Sequence, residues 1–343
     1  MRKHLKRPIA VITALVLLSA IVAGCTSASV ADPAPEAPAP TAPAETPAAV
    51  DTYDEPAAQP TKIVVADAKT THHLNLYVAK ELGLFDKYNL DVEIIATDDN
   101  AASRDLVVSG GADVFWTCPT VAIAAIANGA PISTIAQVKK PCTSVLLVPS
   151  DSSITTLTDL NGKEIAGISP TCEAVISLTV AARSAGAEFN LQRLAGGPAI
   201  TALEGGAVDG AILEEPHASI AELAGYTVLF RDVSENIPCR TINASNRILS
   251  SNAEQLKDFI KAVDEANAII LADPAAESIV RIAADYTGAP EDAIINGNHR
   301  LLFGVTLEVD GLKTLGDELI SLDNIKENPG DSMFADEFKG ITW

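Results

Sequence analysis

Cations are scarce in this chain beside anions: 24 Lys and Arg stand against 45 Asp and Glu in 343 residues, a formal net charge of −21. That imbalance excludes nucleic acid and anionic bilayer surfaces as partners, since both are held by neutralising phosphates. It also repels a free anion at long range, although local dipoles override a global field at close quarters. Aromatic residues make up only 4%, and Ala, Val, Ile and Leu dominate instead, as in an α/β protein with a sizeable core. GxSxG, HExxH, P-loop and dinucleotide-binding patterns are absent, which removes the enzyme classes they carry. The Gly110-Gly111 and Gly205-Gly206 pairs precede strands, so neither cradles a phosphate. Beyond the N-terminus no hydrophobic stretch approaches the roughly 20 residues of a membrane span. Cysteine is sparse as well: five residues, with no CxxC pair among them.

The N-terminus reads as an export signal. Arg2, Lys3, Lys6 and Arg7 give a positive start, and Ile9 to Val22 an apolar run too short for a stable transmembrane helix. Val22-Ala23-Gly24-Cys25 follows and resembles the lipobox of prokaryotic lipoproteins. Cleavage there removes residues 1–24 and leaves Cys25 to carry lipid. Residues 25–60 are rich in Ala, Pro, Thr, Glu and Asp with almost nothing large to bury, so a disordered tether is expected. Without the four signal cations, 20 Lys and Arg face 45 Asp and Glu, and the mature charge is near −25. The remaining chain, roughly 280 residues, is enough for one large or two medium domains. They are expected on the extracytoplasmic face of the membrane, anchored through Cys25.

From Thr61 onward strands and helices alternate, the pattern of parallel βαβ units. Strands are expected at 62–67, 92–96, 112–116, 132–138, 144–148, 164–168, 190–194, 210–213 and 227–230. Helices are expected at 74–83, 102–108, 119–128, 172–186, 199–203 and 217–223. After Asn243 the chain turns helical, with amphipathic stretches at 253–271, 275–286 and 306–322. One internal echo stands out. Ser109-Gly110-Gly111-Ala112-Asp113 begins a strand that ends at Thr117-Cys118-Pro119, and Glu204-Gly205-Gly206-Ala207-Val208-Asp209 begins one that ends at Glu214-Glu215-Pro216. An Ala/Ile helix follows each copy, and five positions after the aspartate lie Cys118 and Glu214. Two related α/β lobes are the structural meaning. Ligands of parallel sheets sit beyond the strand C-termini, which places these two turns on opposite walls of one cleft.

The segment from His73 to Phe85, then Tyr88 to Glu93 (YNLDVE), resembles the opening of the nitrate/sulfonate/taurine-type substrate-binding proteins of ABC importers, an opening shared by the thiamine-pyrimidine-precursor proteins. Leu106 to Asp113, Leu157 to Ile165 (LTDLNGKEI) and Gly206 to Pro216 continue in that family's order, so the resemblance spans Lys62 to about Tyr286. It implies a periplasmic-binding-protein-like (type II) fold: two α/β lobes joined by a two-strand hinge and closing on a small ligand. Lobe 1 would comprise 61–142 and 240–343, and lobe 2 would comprise 143–239. It also implies a receptor that is not an enzyme, with importer permease and ATPase subunits as partners. The ligand varies widely across the family.

The departures lie where a ligand should be. Cys118 and Cys172 sit at helix starts, one in each lobe, and Cys142 and Cys239 each follow a proline beside a hinge crossing. His72 and His73 follow the first strand at a helix N-terminus, where the dipole favours a neutral imidazole. Glu214 and Glu215 hold the equivalent place in lobe 2. His217 reads as a helix-surface residue, and Lys139-Lys140 as either a complement to an anion or a solvated strand end. Three readings of the thiols stand side by side. They bind a thiophilic metal or an iron–sulfur-type cluster as the transported ligand, with Cys118, Cys142, Cys172 and Cys239 as donors and a histidine as a further one. They form two disulfides, Cys142–Cys239 and Cys118–Cys172, around an organic or oxyanion ligand of sulfonate, nitrate or pyrimidine type. Or they shape an organic pocket as free thiols. The remaining alternative is an enzyme on the same fold, pairing Cys118 with His72 or His73.

Overall fold

A computed structural model describes residues 59–231 and 238–343. The export signal, Cys25, nearly all of the tether and part of the second hinge crossing lie outside the described residues.

Two five-stranded sheets carry the fold. The first is built from β1 (Thr61–Asp67), β2 (Leu90–Ala96), β3 (Val114–Thr117), β4 (Ile132–Lys139) and β10 (Arg240–Ser245), in the order β2-β1-β3-β10-β4. The second contains β5 (Val145–Val148), β6 (Glu164–Gly167), β7 (Asn190–Arg193), β8 (Gly210–Leu213) and β9 (Thr227–Arg231), in the order β7-β6-β8-β5-β9. Each sheet has one antiparallel member, and in each it is the strand that has just arrived from the other sheet. β10 runs antiparallel to β3 and β4, and β5 antiparallel to β8 and β9. The chain therefore crosses between the sheets twice, giving the two α/β lobes and two-strand hinge of the type II arrangement. Ten helices among the described residues pack on these sheets: α1 (Leu74–Glu81), α2 (Asn100–Val108), α3 (Pro119–Ala127), α4 (Glu173–Ser184), α5 (Gly196–Glu204), α6 (His217–Leu223), α7 (Asn246–Ala272), α8 (Glu277–Thr287), α9 (Glu291–Asn298) and α10 (Val309–Ser321).

The glycine–aspartate echo is a shared device. Asp113 accepts the Val64 amide at 2.9 Å while its own amide donates to Val64 O at 2.8 Å. Asp209 does the same to Glu164, at 2.9 and 2.7 Å. Each carboxylate thus locks the start of a central strand to its neighbour and fixes where that strand will end. In both lobes it ends at the cleft.

Two elements were hidden from the pattern of the sequence. β10 (RTINAS) is polar because one face carries a buried network in which Thr134 donates to Asn243 at 2.8 Å and Asn243 to Thr241 at 3.1 Å. α9 is short, with Gly297 and two asparagines in its last turn. α7 begins at Asn246, earlier than its apolar periodicity suggests, because Ser245 caps it and a kink at Asn252 (φ −140°, ψ 34°) separates this first stretch from the amphipathic one.

α9 also ties the lobes together. Ile294 and Leu301 are anchored in the lobe 1 core, while Arg300 reaches lobe 2, pairing with Glu215 at 2.9 Å and with Glu222 at 2.7 Å. Asn296 donates to Ser219 at 3.1 Å, and the Thr70 hydroxyl to Glu215 O at 3.1 Å. The approach demands glycine: a Cβ on Gly297 would sit 2.5 Å from the Glu215 carboxylate and 2.9 Å from Ser219 Oγ. Gly297→Ala is therefore expected to lower the unfolding free energy by about 1–3 kcal/mol through overpacking. Denaturant unfolding checks this, and an unchanged midpoint would show that α9 yields without cost.

Candidate functional site

The site grows from the two crossings. Lys139 ends β4 and Arg240 begins β10; the two are register partners, and the Cys239 amide donates to Lys139 O at 2.9 Å. Strand pairing thus places two cations side by side, and both are withdrawn from solvent, Lys139 at 0% and Arg240 at 1% relative exposure. A buried charge needs partners. Arg240 Nη1 donates to Cys118 Sγ at 3.1 Å, to Cys239 Sγ at 3.2 Å and to Cys239 O at 2.9 Å, and Nη2 pairs with the Glu214 carboxylate. Lys139 Nζ donates to Pro141 O at 2.9 Å. The repeat-equivalent positions Cys118 and Glu214, one per lobe, are thereby joined through a single guanidinium.

All four cysteines of the folded region are buried and pack in one cluster with lobe 2 core residues. Cys118 stands at the N-cap of α3 and Cys172 at the N-cap of α4, so each lobe presents one thiol at a helix start. These two hydrogen-bond to each other across the lobe junction. Cys142 hydrogen-bonds Cys239, and its sulfur lies 3.3 Å from Ser144 Oγ. The Cys142 and Cys239 sulfurs and a carboxylate oxygen of Glu173, the first residue of α4, lie within 4.8 Å of one another. That is a spacing compatible with a shared metal ion. None of the four thiols is in a disulfide, which corrects the expected Cys142–Cys239 and Cys118–Cys172 disulfides: the sulfurs meet as hydrogen-bonded pairs, with Arg240 as a further partner of Cys118 and Cys239.

The histidines separate. His72 belongs to the chamber, with Nδ1 3.7 Å from Cys239 Sγ and 3.8 Å from a Glu214 oxygen, and Nε2 3.4 Å from Thr143 Oγ1. His73 turns to Asp67, its Nδ1 2.5 Å from a carboxylate that also receives the Tyr77 hydroxyl and the Lys69 amide. Tyr77 stacks on Tyr286 with ring centroids 4.3 Å apart, so this network braces β1 against α1 and α8. Glu214 and Glu215 part in the same way, because adjacent side chains leave the backbone in different directions: Glu214 meets Arg240, whereas Glu215 is spent on Arg300 and the Ser219 amide. His217 is not a helix-surface residue, since it lines a cleft cavity of about 360 Å³ with Lys69, Thr70, Asp98 and Glu214. Lys139 is no solvated strand end either; Lys140 is the half-exposed member and pairs with Glu308.

Electrostatics divide the thiols. A hydrogen bond with Cys172, together with burial, pushes the Cys118 thiol well above its ordinary range. Burial opposes ionisation of Cys239 too, but the hydrogen bond from Cys142, the charges of Lys139 and Arg240 and the contact with His72 outweigh it and hold this thiol well below that range. Burial, then the charge of Lys139, lowers His72, so its imidazole is neutral at neutral pH. Glu214 is held below the usual carboxylate range against burial by Arg240 and His72. The arrangement offers one thiolate, three further sulfurs, a neutral imidazole and a carboxylate around two fixed cations. Arg240 and Glu173 are the chamber residues that sequence reasoning missed; the only signal was the adjacency of Arg240 to Cys239 and of Glu173 to Cys172.

The sequence matches the family described as NMT1/THI5 like over residues 70–277. Among solved structures, the alkanesulfonate-binding protein SsuA from Xanthomonas axonopodis pv. citri, bound to MOPS, is similar with a TM-score of 0.72 and 19% identity, over 81% of this chain and 99% of that one. The ligand-binding component of an ABC-type import system from Staphylococcus aureus, with zinc bound, has a TM-score of 0.70 and 15% identity, over 80% and 96% of the two chains. A mutant of DszB in complex with biphenyl-2-sulfinic acid has a TM-score of 0.60 and 13% identity, over 81% and 97%. No curated protein sequence matches the chain. At these identities the likeness shows a common fold, that of periplasmic binding proteins.

The depressed thiol gives a direct check on the chamber. In metal-free protein, ultraviolet thiolate absorbance is expected to rise in one step well below the ordinary thiol value of about 8.5, a step lost in Cys239→Ser and moved upward in Lys139→Met. Four thiols all titrating at or above that value would refute the assignment. The sign for stability follows. Cys239 contributes stabilisation that is full above the unfolded thiol value and is lost as pH falls through the depressed folded one. His72, also depressed, loses stability as pH falls below about 6.5, so both shifts make acid destabilising.

Proposed function

Because this chain belongs to the NMT1/THI5-like family, we propose that it is an extracytoplasmic solute-binding receptor that delivers a small ligand to the permease and ATPase subunits of an ABC importer. Its cargo is a thiophilic metal or an iron–sulfur-type cluster, taken up by Cys118, Cys142, Cys172 and Cys239, with His72, Glu214 and Glu173 beside them. In this reading Cys25 carries the lipid that holds the receptor at the membrane face, and the metal is cargo with no catalytic role. The observation that carries it is the meeting of four thiols, from four separate segments, at a junction between the lobes. A site assembled from both lobes exists only while they are together, which suits a protein that must release what it binds. The solved neighbours support the receptor role, since SsuA is named as an alkanesulfonate-binding protein and the Staphylococcus aureus protein as a component of an import system. Arg240 and Lys139 favour a second reading, a receptor for a small organic anion or oxyanion with the thiols as free chamber walls. The His72–Cys239 pair keeps an enzyme as the third.

Anaerobic purification followed by metal, acid-labile sulfide and free-thiol analysis separates these readings. Stoichiometric thiophilic metal is expected, lost in Cys142→Ser and Cys239→Ser, with Cys118→Ser and Cys172→Ser each weakening retention while unfolding stays cooperative. Metal-free protein whose ligand affinity is indifferent to all four substitutions would end the metal reading. Conversion of a bound ligand to product would move the protein to the enzymes.

A further inference from the structure

We infer that the unspent N–H donors of Arg240 and Lys139 select a cargo that accepts hydrogen bonds, so that the chamber takes a sulfide-coated metal complex in preference to a bare metal cation. The inference rests on the thiol-chamber reading above and narrows it to one chemical class.

Arg240 Nη1 lies 3.1 Å from Cys118 Sγ and 3.2 Å from Cys239 Sγ. A metal bonded to either sulfur at about 2.3 Å would lie within roughly 5.5 Å of a permanent positive charge. Lys139 is the register partner of Arg240 and adds a second, fully buried ammonium. A bare divalent ion is repelled by both. Glu214 offsets Arg240, and Cys239, with Glu173 beside it, offsets Lys139, so net charge does not decide between the two kinds of cargo; the placing of the donors does.

Donors are in surplus as well. Arg240 Nε is buried without an acceptor, and Lys139 Nζ, with three N–H groups, donates to Pro141 O alone among the described residues. Buried donors of this kind call for acceptors. The sulfide ligands of a thiometallate supply them, and a bare cation supplies none. No bond to the metal has to form or break for this recognition. The thiols close around the complex as soft, polarisable walls, and separation of the lobes frees it.

Competition binding on the full chain under anaerobic conditions decides the matter, with tetrathiomolybdate as the anionic metal–sulfide probe, Zn²⁺ and Cu⁺ as bare cations, and sulfate and an alkanesulfonate as metal-free anions. Tetrathiomolybdate is expected to bind most tightly. Arg240→Met should weaken it roughly 10–100-fold, the loss of hydrogen bonds to a charged group, while Zn²⁺ affinity holds or rises; Arg240→Lys should recover part of the loss. Lys139→Met should act in the same direction, and it serves alone if Arg240→Met does not fold. Tighter binding of Zn²⁺ or Cu⁺ than of tetrathiomolybdate, dependent on the cysteines, would overturn the selection by donors and leave the thiol chamber standing. Sulfate or sulfonate binding unaffected by the cysteine substitutions would remove both.

Discussion

A guanidinium with almost no solvent contact organises the middle of this molecule. Arg240 is reached from lobe 1 by Cys118, from lobe 2 by Glu214 and from its own crossing by Cys239. Taking such a charge out of water is expensive, and removing one partner of a buried pair costs about 3–5 kcal/mol. The lobes are therefore coupled through groups that are poor substitutes for water individually and sufficient together. Isolated thiols are weak acceptors, so a cation held in part by sulfur keeps unspent capacity for a ligand. The junction is stable enough to form and incomplete enough to want an occupant.

The duplicated lobe supplies the geometry. In each half an aspartate clamps the start of a strand to its neighbour, the strand runs four residues, and the fifth position after the aspartate arrives at the cleft. One copy delivers a thiol and the other a carboxylate to the same arginine. The crossings then add Lys139, Cys142 and Cys239 because the strand that enters each sheet pairs antiparallel, which puts the ends of β4 and β10 in register. A second contact holds the halves at their rim, where Arg300 bridges to α6 and Gly297 permits the approach. Chamber and rim clasp use adjacent carboxylates, Glu214 and Glu215, so closing one engages the other.

Much of this was legible in the linear chain. Strand and helix alternation, the glycine–aspartate repeat and the placement of each cysteine at a helix start or crossing were enough to expect two α/β lobes and thiols from distant segments in one place. What stayed hidden did so for physical reasons. Arg240 is charged, and charge reads as surface until a partner is known, so strand pairing had to reveal it and to decide between the two readings of Lys139. β10 lacked an apolar run because its polar residues satisfy one another on a buried face. His72 and His73 were indistinguishable as neighbours in sequence, yet Asp67 and Tyr77 claim one and the chamber the other. The even cysteine count suggested disulfides, and the arginine that two of the sulfurs share was the missing term.

The account stands on the claim that these sulfurs surround one metal-bearing cargo. X-ray absorption at the metal edge of anaerobically purified, ligand-loaded protein reads this directly. Sulfur neighbours at about 2.3 Å, with the metal-edge signal itself lost in Cys239→Ser, is the result the account predicts. A light-atom shell of oxygen and nitrogen alone, indifferent to the cysteines, would contradict it.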